Sequence, residues 1–317
     1  MKIINKNQRI FIAGSTGMVG SSIKRAILRK INTIEGNNPL LLTPSRKELN
    51  LLDSNLVNNW FIKEKPTIVI LAAAKVGGIL ANSKYPANFL IDNIKIQTNI
   101  IESSLSCGVK RLLFFGSSCI YPKHASQPIK EEELLSDYLE KTNECYAIAK
   151  IAGIKLIEAL RNQFKFDAIS LMPTNLYGPN DNFSDKESHV IPALIQRIHN
   201  AKIEDLPSVE VWGTGSPMRE FLYVDDLSNA IMFLINNNIT HGLLNVGSGK
   251  EITIKELVEK IKTVVNFQGE IVFNKDYPDG NPRKLIDSSK INELGWKPTV
   301  NIEEGLKQTY DWYLRSQ

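Results

Sequence analysis

A tyrosine and a lysine lie one helical turn apart in the middle of the chain. Tyr146 and Lys150 are separated by Ala-Ile-Ala, and this spacing brings both side chains to one face of a helix. A phenol with an ordinary pKa of about 10 is a poor acid or base at neutral pH, but a neighbouring ammonium group and a positively charged cofactor favour its ionised form. We therefore expect a lowered pKa for Tyr146 and proton transfer to or from a substrate oxygen. Taken alone, such a pair is more common on an ordinary surface helix.

A serine at the end of a predicted buried strand favours a catalytic role for Tyr146 and Lys150. Ser117 follows the apolar run 111–116, and ligands bind beyond the carboxyl ends of strands in open α/β sheets. Its hydroxyl would hydrogen-bond the same carbonyl oxygen as Tyr146. Cys119 lies two residues further on, where a lone cysteine is more often a buried, inert residue. His189 alone is likewise more often a residue that begins a helix.

A glycine-rich turn lies between the first apolar run and the first helical pattern. The segment Gly14-Ser-Thr-Gly17-Met-Val-Gly20 directly follows residues 9–13. Its glycines permit a tight turn and a close approach of backbone to a pyrophosphate, which the free N–H groups at a helix start would bind. A plain turn is the alternative, but the position at the start of a βαβ series predicts dinucleotide binding.

The end of the second strand bears on the choice of cofactor. NAD is usually selected there by a carboxylate that bonds the ribose 2′-OH. Residues 43–47 contain no acid and two cations, Arg46 and Lys47, which favours the 2′-phosphate of NADP(H). The alternative is that both cations belong to an ordinary solvated loop. Asp53, slightly further on, is placed to hydrogen-bond the adenine.

Alternating strand and helix patterns must position these groups. Strands that alternate with helices predict an α/β fold with a doubly wound parallel (Rossmann) sheet. In the first half, the predicted strands are 9–13, 40–43, 67–72, 111–116 and 167–172, and the predicted helices are 18–30, 54–64, 87–107 and 143–164.

The alternation ends after Pro173. The second half has predicted helices at 190–200, 224–236 and 254–265, short strands at 209–212, 243–246 and 270–273, and two further helical patterns near its end. We interpret residues 1–175 as an NADP-binding Rossmann domain with a returning segment near 222–248. Residues 176–317 would form a smaller mixed α/β substrate-binding domain that caps the ends of the parallel strands.

Composition excludes several classes of protein. The 317 residues are 43% hydrophobic and 23% charged, which excludes wholesale disorder and coiled coil. A net charge of +4 without a basic cluster gives no support for a nucleic-acid partner. The three cysteines are too few for a disulfide framework and form no C-x-x-C pair, so no metal site is expected.

The longest apolar run, 68–74, is too short for a membrane span. Lysines interrupt the first twelve residues, where a signal peptide needs an apolar run. We expect a cytoplasmic protein.

Five segments extend these motifs into a family resemblance. Serine, tyrosine and lysine in this order after a glycine turn form the pattern of the short-chain dehydrogenases/reductases. The length and the capping second half resemble the extended members, which act on nucleotide sugars. From Ile10 to Trp312 the chain is similar to the GDP-L-fucose synthase family, most clearly at 72–79 (AAAKVGGI), 116–122 (GSSCIYP), 172–179 (MPTNLYGP), 188–193 (SHVIPA) and 217–221 (PMREF).

The resemblance implies an epimerase-reductase that converts GDP-4-keto-6-deoxy-D-mannose to GDP-L-fucose with NADP(H). The C–H bonds at C3 and C5 are acidic because both carbons adjoin the 4-keto group. Cys119, as a thiolate, would remove a proton, and His189 would deliver one to the opposite face. Ser117 and Tyr146 would hold the enolate oxygen, and Tyr146 would protonate the oxygen after hydride transfer to C4.

The implied site residues fall into three groups, and no metal ligand is among them. The catalytic group is Ser117, Cys119, Tyr146, Lys150 and His189. The cofactor group is Gly14, Ser15, Thr16, Gly17, Met18, Val19, Gly20, Arg46, Asp53, Lys150 and Asn175. The GDP-sugar group is Asn175 and His189 near the sugar, with Arg197, Trp212, Arg219 and Lys284 around the nucleotide diphosphate.

Two departures from the family pattern leave alternatives open. Relatives often carry an arginine in the glycine turn and another after the second strand, where this chain has Thr16 and Pro44. Arg46 would compensate, and NADH is the alternative cofactor.

Two alternatives to the epimerase-reductase function stay open. One is a related enzyme for another GDP-4-keto sugar, of colitose or deoxyheptose type, and the other is a non-catalytic dinucleotide sensor, which would not need Tyr146 and Lys150. A homodimer is expected because relatives commonly pair helices of the Rossmann half.

Overall fold

Strands and helices alternate through the first half of the chain. The computed structural model describes residues 7–31, 38–184, 188–277 and 279–317, and it leaves out the side chains of Ile79 and Leu80. The first six residues, on which part of the signal-peptide expectation rests, lie outside the described residues. The strands are β1 (Arg9–Ala13), β2 (Leu40–Leu42), β3 (Ile68–Leu71), β4 (Arg111–Phe115), β5 (Ala168–Pro173), β6 (Asn175–Tyr177), β7 (Ser208–Trp212), β8 (Met218–Tyr223), β9 (Leu243–Val246), β10 (Glu251–Thr253), β11 (Glu270–Asn274) and β12 (Arg283–Lys284). The helices are α1 (Met18–Ile31), α2 (Ser54–Glu64), α3 (Ile79–Lys84), α4 (Pro86–Ser106), α5 (Glu144–Phe164), α6 (Val190–Ile203), α7 (Val224–Asn236), α8 (Ile254–Val265), α9 (Ser289–Glu293) and α10 (Ile302–Arg315).

Six parallel strands form the main sheet in the order β2-β1-β3-β4-β5-β9. Its strands are buried on both faces, and alternate residues of β1 enter different cores. Ile10 and Ile12 belong to the core that includes residues of α1 and α7, whereas Phe11 and Ala13 belong to the core beneath α2, α4 and α5. The predicted doubly wound parallel sheet is therefore confirmed.

The sixth strand of this sheet comes from the second half of the chain. Helix α7 packs on α1, and β9 pairs with β5 in parallel register. The predicted helix at 224–236 and strand at 243–246 are both confirmed. Because this segment returns to the first layer, the two halves of the chain share one sheet.

A smaller sheet, centred on β8, brings distant segments together. Strand β8 pairs with β6 and β12 in parallel and with β10 in antiparallel register. The sequence patterns did not predict β6, β8, β10, β12 or α3. Strands of two or three residues are too short to show a period. In β8, Arg219 and Glu220 interrupt the apolar run that is typical of a buried strand.

Candidate active site

One cavity of about 1350 Å³ lies beyond the carboxyl ends of the main strands, between the large sheet and the β8 sheet. The glycine turn lines one end of it, and the β11–β12 loop lines another part. Its wall includes most of the residues that the sequence analysis proposed for catalysis and cofactor binding. These are residues 14–20, Arg46, Ser117, Cys119, Tyr146, Lys150, Asn175, His189, Arg219 and Lys284.

The glycine turn has the close contacts that require glycine at two positions. Gly14 has a φ of +82°, and a Cβ there would lie 2.8 Å from the backbone of Ala73. A Cβ on Gly20 would lie 2.1 Å from the Gly14 carbonyl oxygen. Since α1 begins at Met18, its amino-terminal N–H groups and dipole face this end of the cavity. The turn therefore fits a dinucleotide pyrophosphate.

The loop after β2 presents a cation to the same end of the cavity. Pro44, Ser45 and Arg46 line the wall, and Arg46 forms no ion pair within the described part of the chain. The nearby carboxylate of Glu48 accepts a hydrogen bond from the Ser45 backbone at 2.7 Å, which lowers the pKa of Glu48. Glu48 is not among the described lining residues, so Arg46 is the charged side chain of this loop that lines the cavity, and its guanidinium fits the 2′-phosphate of NADP(H).

The structure gives Asp53 a local role at the start of α2. Its carboxylate is the helix N-cap and accepts a hydrogen bond from Leu56 N–H at 3.0 Å. Leu52 lines the cavity, whereas Asp53 is not among its described lining residues. The adenine contact stays a prediction.

Ser117 connects two reactive side chains. Its oxygen accepts a hydrogen bond from the Cys119 backbone at 3.2 Å and caps the 3₁₀ turn Ser118–Ile120, which directly follows β4. Ser117, Cys119 and Tyr146 line the same cavity, and hydrogen bonding with Ser117 is among the causes that lower the pKa of each of the other two side chains. The predicted base of epimerisation and the predicted acid of reduction thus share this part of the cavity wall with one serine.

Tyr146 has a higher pKa than the sequence analysis expected. Burial raises the pKa of Tyr146, the negative charge of Cys119 raises it further, and the hydrogen bond to Ser117 lowers it. The expectation of a lowered pKa was wrong because spacing along a helix gives no information about depth. Lys150 Nζ instead donates to the Phe115 carbonyl at 2.9 Å, and it lies 6.0 Å from the centre of the tyrosine ring.

Lys150 is one of the few buried cations. Its side chain is buried against the Phe114 ring, with Nζ 4.9 Å from the ring centre. Burial lowers the pKa of Lys150 to about 8. The residue therefore titrates much closer to neutral pH than an exposed lysine.

Cys119 lies in an electropositive part of the cavity. Burial disfavours ionisation, but the charge of Lys284, hydrogen bonds from Ser117 and Lys284, and the charge of Arg219 together hold the pKa of Cys119 below its usual range. Cys107, by contrast, has a pKa raised by burial. Of these two cysteines, the one in the cavity has the environment of a nucleophile or base.

His189 is the N-cap residue of α6 and lines the cavity. Its surroundings of protein atoms lower the pKa of His189, because they disfavour the charged imidazolium. The neutral imidazole is therefore the favoured form of His189 in the cavity.

The structure separates the predicted nucleotide-binding residues into two places. Asn175, Arg219 and Lys284 line the cavity, and β8 brings them together by pairing with β6 and β12. Arg197 and Trp212 lie outside the described cavity wall, with the guanidinium carbon 5.6 Å from the centre of the indole ring.

The outer group includes an aromatic stack. Trp212, 51% exposed, stacks on Tyr277 with the rings 4.5 Å apart and 13° from parallel. Arg197 Nη1 donates to the Glu210 carbonyl at 3.0 Å. The sequence analysis did not identify Tyr277.

Asp181 is a cavity residue that the sequence analysis missed. Its Oδ1 accepts from Asn182 N–H at 2.8 Å, while its buried Oδ2 has no hydrogen-bond partner in the described part of the chain. Burial raises the pKa of Asp181 to about 7. The motif Tyr177–Asp181 gave only a turn signal, because sequence alone does not show which turn side chains are buried.

The turn that carries Cys119 is held by a second network that sequence patterns do not show. Tyr121 donates from its hydroxyl to Asn245 Oδ1 at 2.6 Å, and the backbone N–H of Asn245 donates to Glu131 Oε1 at 2.8 Å. These bonds join the turn after β4 to β9. The turn that carries Cys119 is therefore fixed to the edge of the main sheet.

The fold and the cavity define a class of protein. A glycine turn at the first strand, and Ser117, Tyr146 and Lys150 at the ends of β4 and α5, define a dinucleotide-dependent oxidoreductase of the extended short-chain type. Within the described residues, no helix is long and apolar enough to cross a membrane. The same residues contain no group of three or more His, Cys, Asp or Glu that could hold a metal ion.

Comparisons with known proteins narrow the class. The model of the NAD dependent epimerase/dehydratase family matches residues 10–247. The chain is 55% identical to the probable GDP-L-fucose synthase 1 of Oryza sativa subsp. japonica, over 99% of this chain and 94% of that protein. It is 50% identical to the GDP-L-fucose synthase of Escherichia coli (strain K12), over 98% of each chain. A solved GDP-L-fucose synthetase of Naegleria fowleri bound to NADP matches with a TM-score of 0.90 and 27% identity, over 98% of this chain and 94% of that one. The chain belongs to the NAD dependent epimerase/dehydratase family and, within it, to the GDP-L-fucose synthases.

Proposed function

We propose that this protein is an NADP-dependent enzyme that converts GDP-4-keto-6-deoxy-D-mannose to GDP-L-fucose. It inverts C3 and C5 and then reduces C4. The observation that carries the proposal is that Ser117, Cys119 and Tyr146 line one cavity together with the glycine turn. The names of relatives at 50% and 55% identity, both GDP-L-fucose synthases, support the same product.

Epimerisation uses a base and an acid next to a ketone. The Cys119 thiolate removes the proton from a carbon beside the keto group, and the electron pair moves to the carbonyl oxygen as an enolate. Ser117 and Tyr146 donate hydrogen bonds to that oxygen, which stabilises its charge. His189 delivers a proton to the opposite face of the carbon. The lowered pKa of Cys119 supports the first step because it raises the fraction of thiolate at neutral pH.

Reduction uses the other side of the same cavity. Bound NADPH supplies a hydride to C4, and the turn of residues 14–20 would hold its pyrophosphate. Tyr146 donates its proton to the C4 oxygen, and its raised pKa keeps the phenol protonated until then. Lys150 would hold the cofactor ribose while it donates to the Phe115 carbonyl. Arg46 would pair with the 2′-phosphate.

The GDP part of the substrate would extend from the cavity toward the outer aromatic stack. Asn175 would contact the sugar, and Arg219 and Lys284 would meet the diphosphate at the cavity wall. Arg197 and Trp212 would contact the outer part of the nucleotide. Support for this path comes from the two clusters themselves, one at the cavity wall and the other beside exposed aromatic rings.

The domain division, the dimer and the compartment are parts of the same proposal. Residues 1–175, with the returning segment near 222–248, would form the cofactor domain, and 176–317 the substrate domain with its own apolar core. A homodimer would cover the half-exposed Ile91 of α4 and Ile148 of α5, and sedimentation analysis tests it. A cytoplasmic location suits a catalytic thiolate, which oxidation would inactivate.

The direct test of the function is an assay with the keto sugar. Purified protein is incubated with GDP-4-keto-6-deoxy-D-mannose and NADPH, and absorbance at the nicotinamide band and NMR spectra of the product are recorded. We expect cofactor oxidation and a product with the configuration of L-fucose. Absence of cofactor oxidation, or a product with the configuration of the starting sugar at C3 and C5, contradicts the proposal.

A further inference from the structure

Asn245 lies in β9, the edge strand of the main sheet, with its side chain fully buried. Its Oδ1 accepts a hydrogen bond from the Tyr121 hydroxyl at 2.6 Å. Its Nδ2 donates to the Ile129 carbonyl at 2.9 Å and to the Asp287 carbonyl at 3.0 Å. Both hydrogens of the amide are therefore bonded, and all three partners lie outside the strand that carries it.

Tyr121 is the donor in its bond with this amide. Burial raises the pKa of Tyr121, and the charge of Glu131 raises it further, so the hydroxyl stays protonated. Because the Asn245 Nδ2 already donates to two carbonyls, Oδ1 is the atom that faces the hydroxyl. Loss of the hydroxyl would leave a buried acceptor without its donor, which costs more than loss of an exposed bond.

The turn that carries Cys119 has weak bonds of its own. We call residues 118–121 the cysteine turn, and Tyr121 is its last residue. Its backbone hydrogen bonds to the carbonyls of Ser117 and Ser118 are 3.1 and 3.4 Å long. Single turns of 3₁₀ geometry are poorly held by such bonds. The position of Cys119 therefore depends on the contacts of Tyr121, two residues further along the chain.

The other two bonds of Asn245 hold the segment that follows β12. Asp287 N–H donates to the Ile129 carbonyl at 2.8 Å, and Ile129 N–H donates to the Leu285 carbonyl at 2.8 Å. Lys284, which directly precedes this segment, lines the cavity. One buried amide thus joins the cysteine turn, the β4–α5 connection and the segment after β12 to the main sheet.

We propose that Asn245 is a positioning residue for epimerisation, because its amide holds the cysteine turn through Tyr121 and thereby keeps Cys119 at the reacting carbon. The inference rests on the proposed function, in which Cys119 removes a proton from that carbon. A displacement of about 1 Å at a reacting group can cost about 100-fold in rate. Tyr146 is attached to α5 instead, so reduction depends much less on this amide.

The first measurement compares the two reactions in Tyr121→Phe, which keeps the ring and removes the hydroxyl. Exchange of solvent deuterium into C3 and C5 of GDP-4-keto-6-deoxy-D-mannose should fall about tenfold, because Cys119 is displaced. Reduction chemistry is measured alone in the reverse direction, as hydride transfer from C4 of GDP-L-fucose to NADP⁺ in a single turnover. This rate should fall by about threefold at most, since Tyr146 and Lys150 keep their places on α5.

Tyr223→Phe is the matched control for this measurement. The Tyr223 hydroxyl is equally buried and donates to Gln308 Oε1 at 2.9 Å, but the residue is not among the described lining residues of the cavity. Both rates should match the parent protein in the control. An equal fall of both rates in Tyr121→Phe would indicate general loosening of the fold and overturns the inference, as does deuterium exchange at the native rate.

A second measurement follows the cysteine turn without any sugar. Hydrogen–deuterium exchange of the backbone amides in the peptide that covers residues 118–121 should be about fivefold to tenfold faster in Tyr121→Phe and in Asn245→Leu than in the parent. The double variant should exchange no faster than Asn245→Leu alone, because both changes remove the same bond. Unchanged amide exchange in the folded single variants, or additive effects in the double variant, overturns the inference. Since this result needs no keto sugar, failure of the inference can be told apart from failure of the proposed function.

Discussion

The reduction cluster and the epimerisation cluster share one cavity but are assembled differently. The reduction cluster, Ser117, Tyr146 and Lys150, comes from the end of β4 and from α5, which pack in the same layer. The epimerisation cluster, Cys119 and His189, combines the turn after β4 with the start of α6. The reduction cluster therefore depends on the main sheet and the helix packed on it. The epimerisation cluster depends on contact between the main sheet and the second half of the chain.

This difference indicates which chemistry the fold provides and which the second layer adds. The edge of a parallel sheet, with a cofactor turn beside it, is sufficient for hydride transfer and proton donation. The cations that lower the pKa of Cys119 come from β8 (Arg219) and β12 (Lys284). Ser117 and Tyr146 both donate to the enolate oxygen in the proposed mechanism, but only Tyr146 gives its proton to the C4 oxygen, so variants at the two residues should affect the two reactions to different extents.

The largest effect is expected when the proton donor of reduction is removed. Tyr146→Phe removes the hydroxyl that protonates the C4 oxygen, and should lower the rate of reduction by about 10²–10⁴-fold. Deuterium exchange at C3 and C5 should fall much less than reduction, since Cys119 and the second donor to the enolate oxygen, Ser117, remain. NADPH oxidation and NMR exchange measure the two rates, with the exposed Tyr138→Phe as control. Equal loss of both reactions would contradict the separation of the clusters.

A reciprocal result is expected for the base of epimerisation. Cys119→Ser replaces a thiol of lowered pKa by a hydroxyl that stays protonated, so solvent exchange at C3 and C5 should fall by about 10²-fold or more. Cys107→Ser, at the end of α4, should exchange at the native rate. Exchange of both positions at the native rate in Cys119→Ser would show that another group is the base.

A smaller effect on both reactions is expected at the shared hydroxyl. Ser117→Ala removes one donor to the developing oxyanion and the hydrogen bond to the Cys119 side chain, so exchange and reduction should each fall by about 10²-fold. Ser136→Ala, on an exposed loop, is the control. If one rate falls and the other does not, Ser117 serves only one cluster.

The smallest effect is expected at the cofactor end of the reduction side. Arg46→Ala should weaken NADPH binding about tenfold and leave NADH binding unchanged, because only NADPH carries the 2′-phosphate. Lys47→Ala, beside it but outside the described cavity wall, is the matched control. Titration of protein fluorescence with each cofactor measures both affinities, and equal NADPH affinity in the two variants would assign the 2′-phosphate to other residues.

The main sheet could be predicted from sequence more fully than the second layer. Continuous apolar runs such as Ile68–Leu71 and the glycine turn are local signals of buried parallel strands and of a strand-to-helix turn. Strand β12 has two residues, Arg283 and Lys284, and its place beside β8 is set only by long-range packing. The position of Lys284 in the same cavity wall as Cys119 is therefore absent from any local pattern.

The site shows the same limit. The order of Ser117, Tyr146 and Lys150 predicted a shared site, and the structure brings these residues to one cavity. The predicted direction of the Tyr146 pKa shift was wrong, because residue spacing identifies neighbours along a helix but not the depth of burial. Asp181 was missed for the same reason.

The isotope pattern of the product tests most directly whether both clusters act on one substrate. The keto sugar is converted by the unmodified protein in D₂O with protiated NADPH, and the product is examined by ¹H and ²H NMR. The account predicts deuterium at C3 and C5, taken from solvent through the epimerisation cluster, and protium at C4, taken from the cofactor. A reduced product that carries protium at C3 and C5 would contradict it, because the Cys119 side of the cavity would then have taken no part.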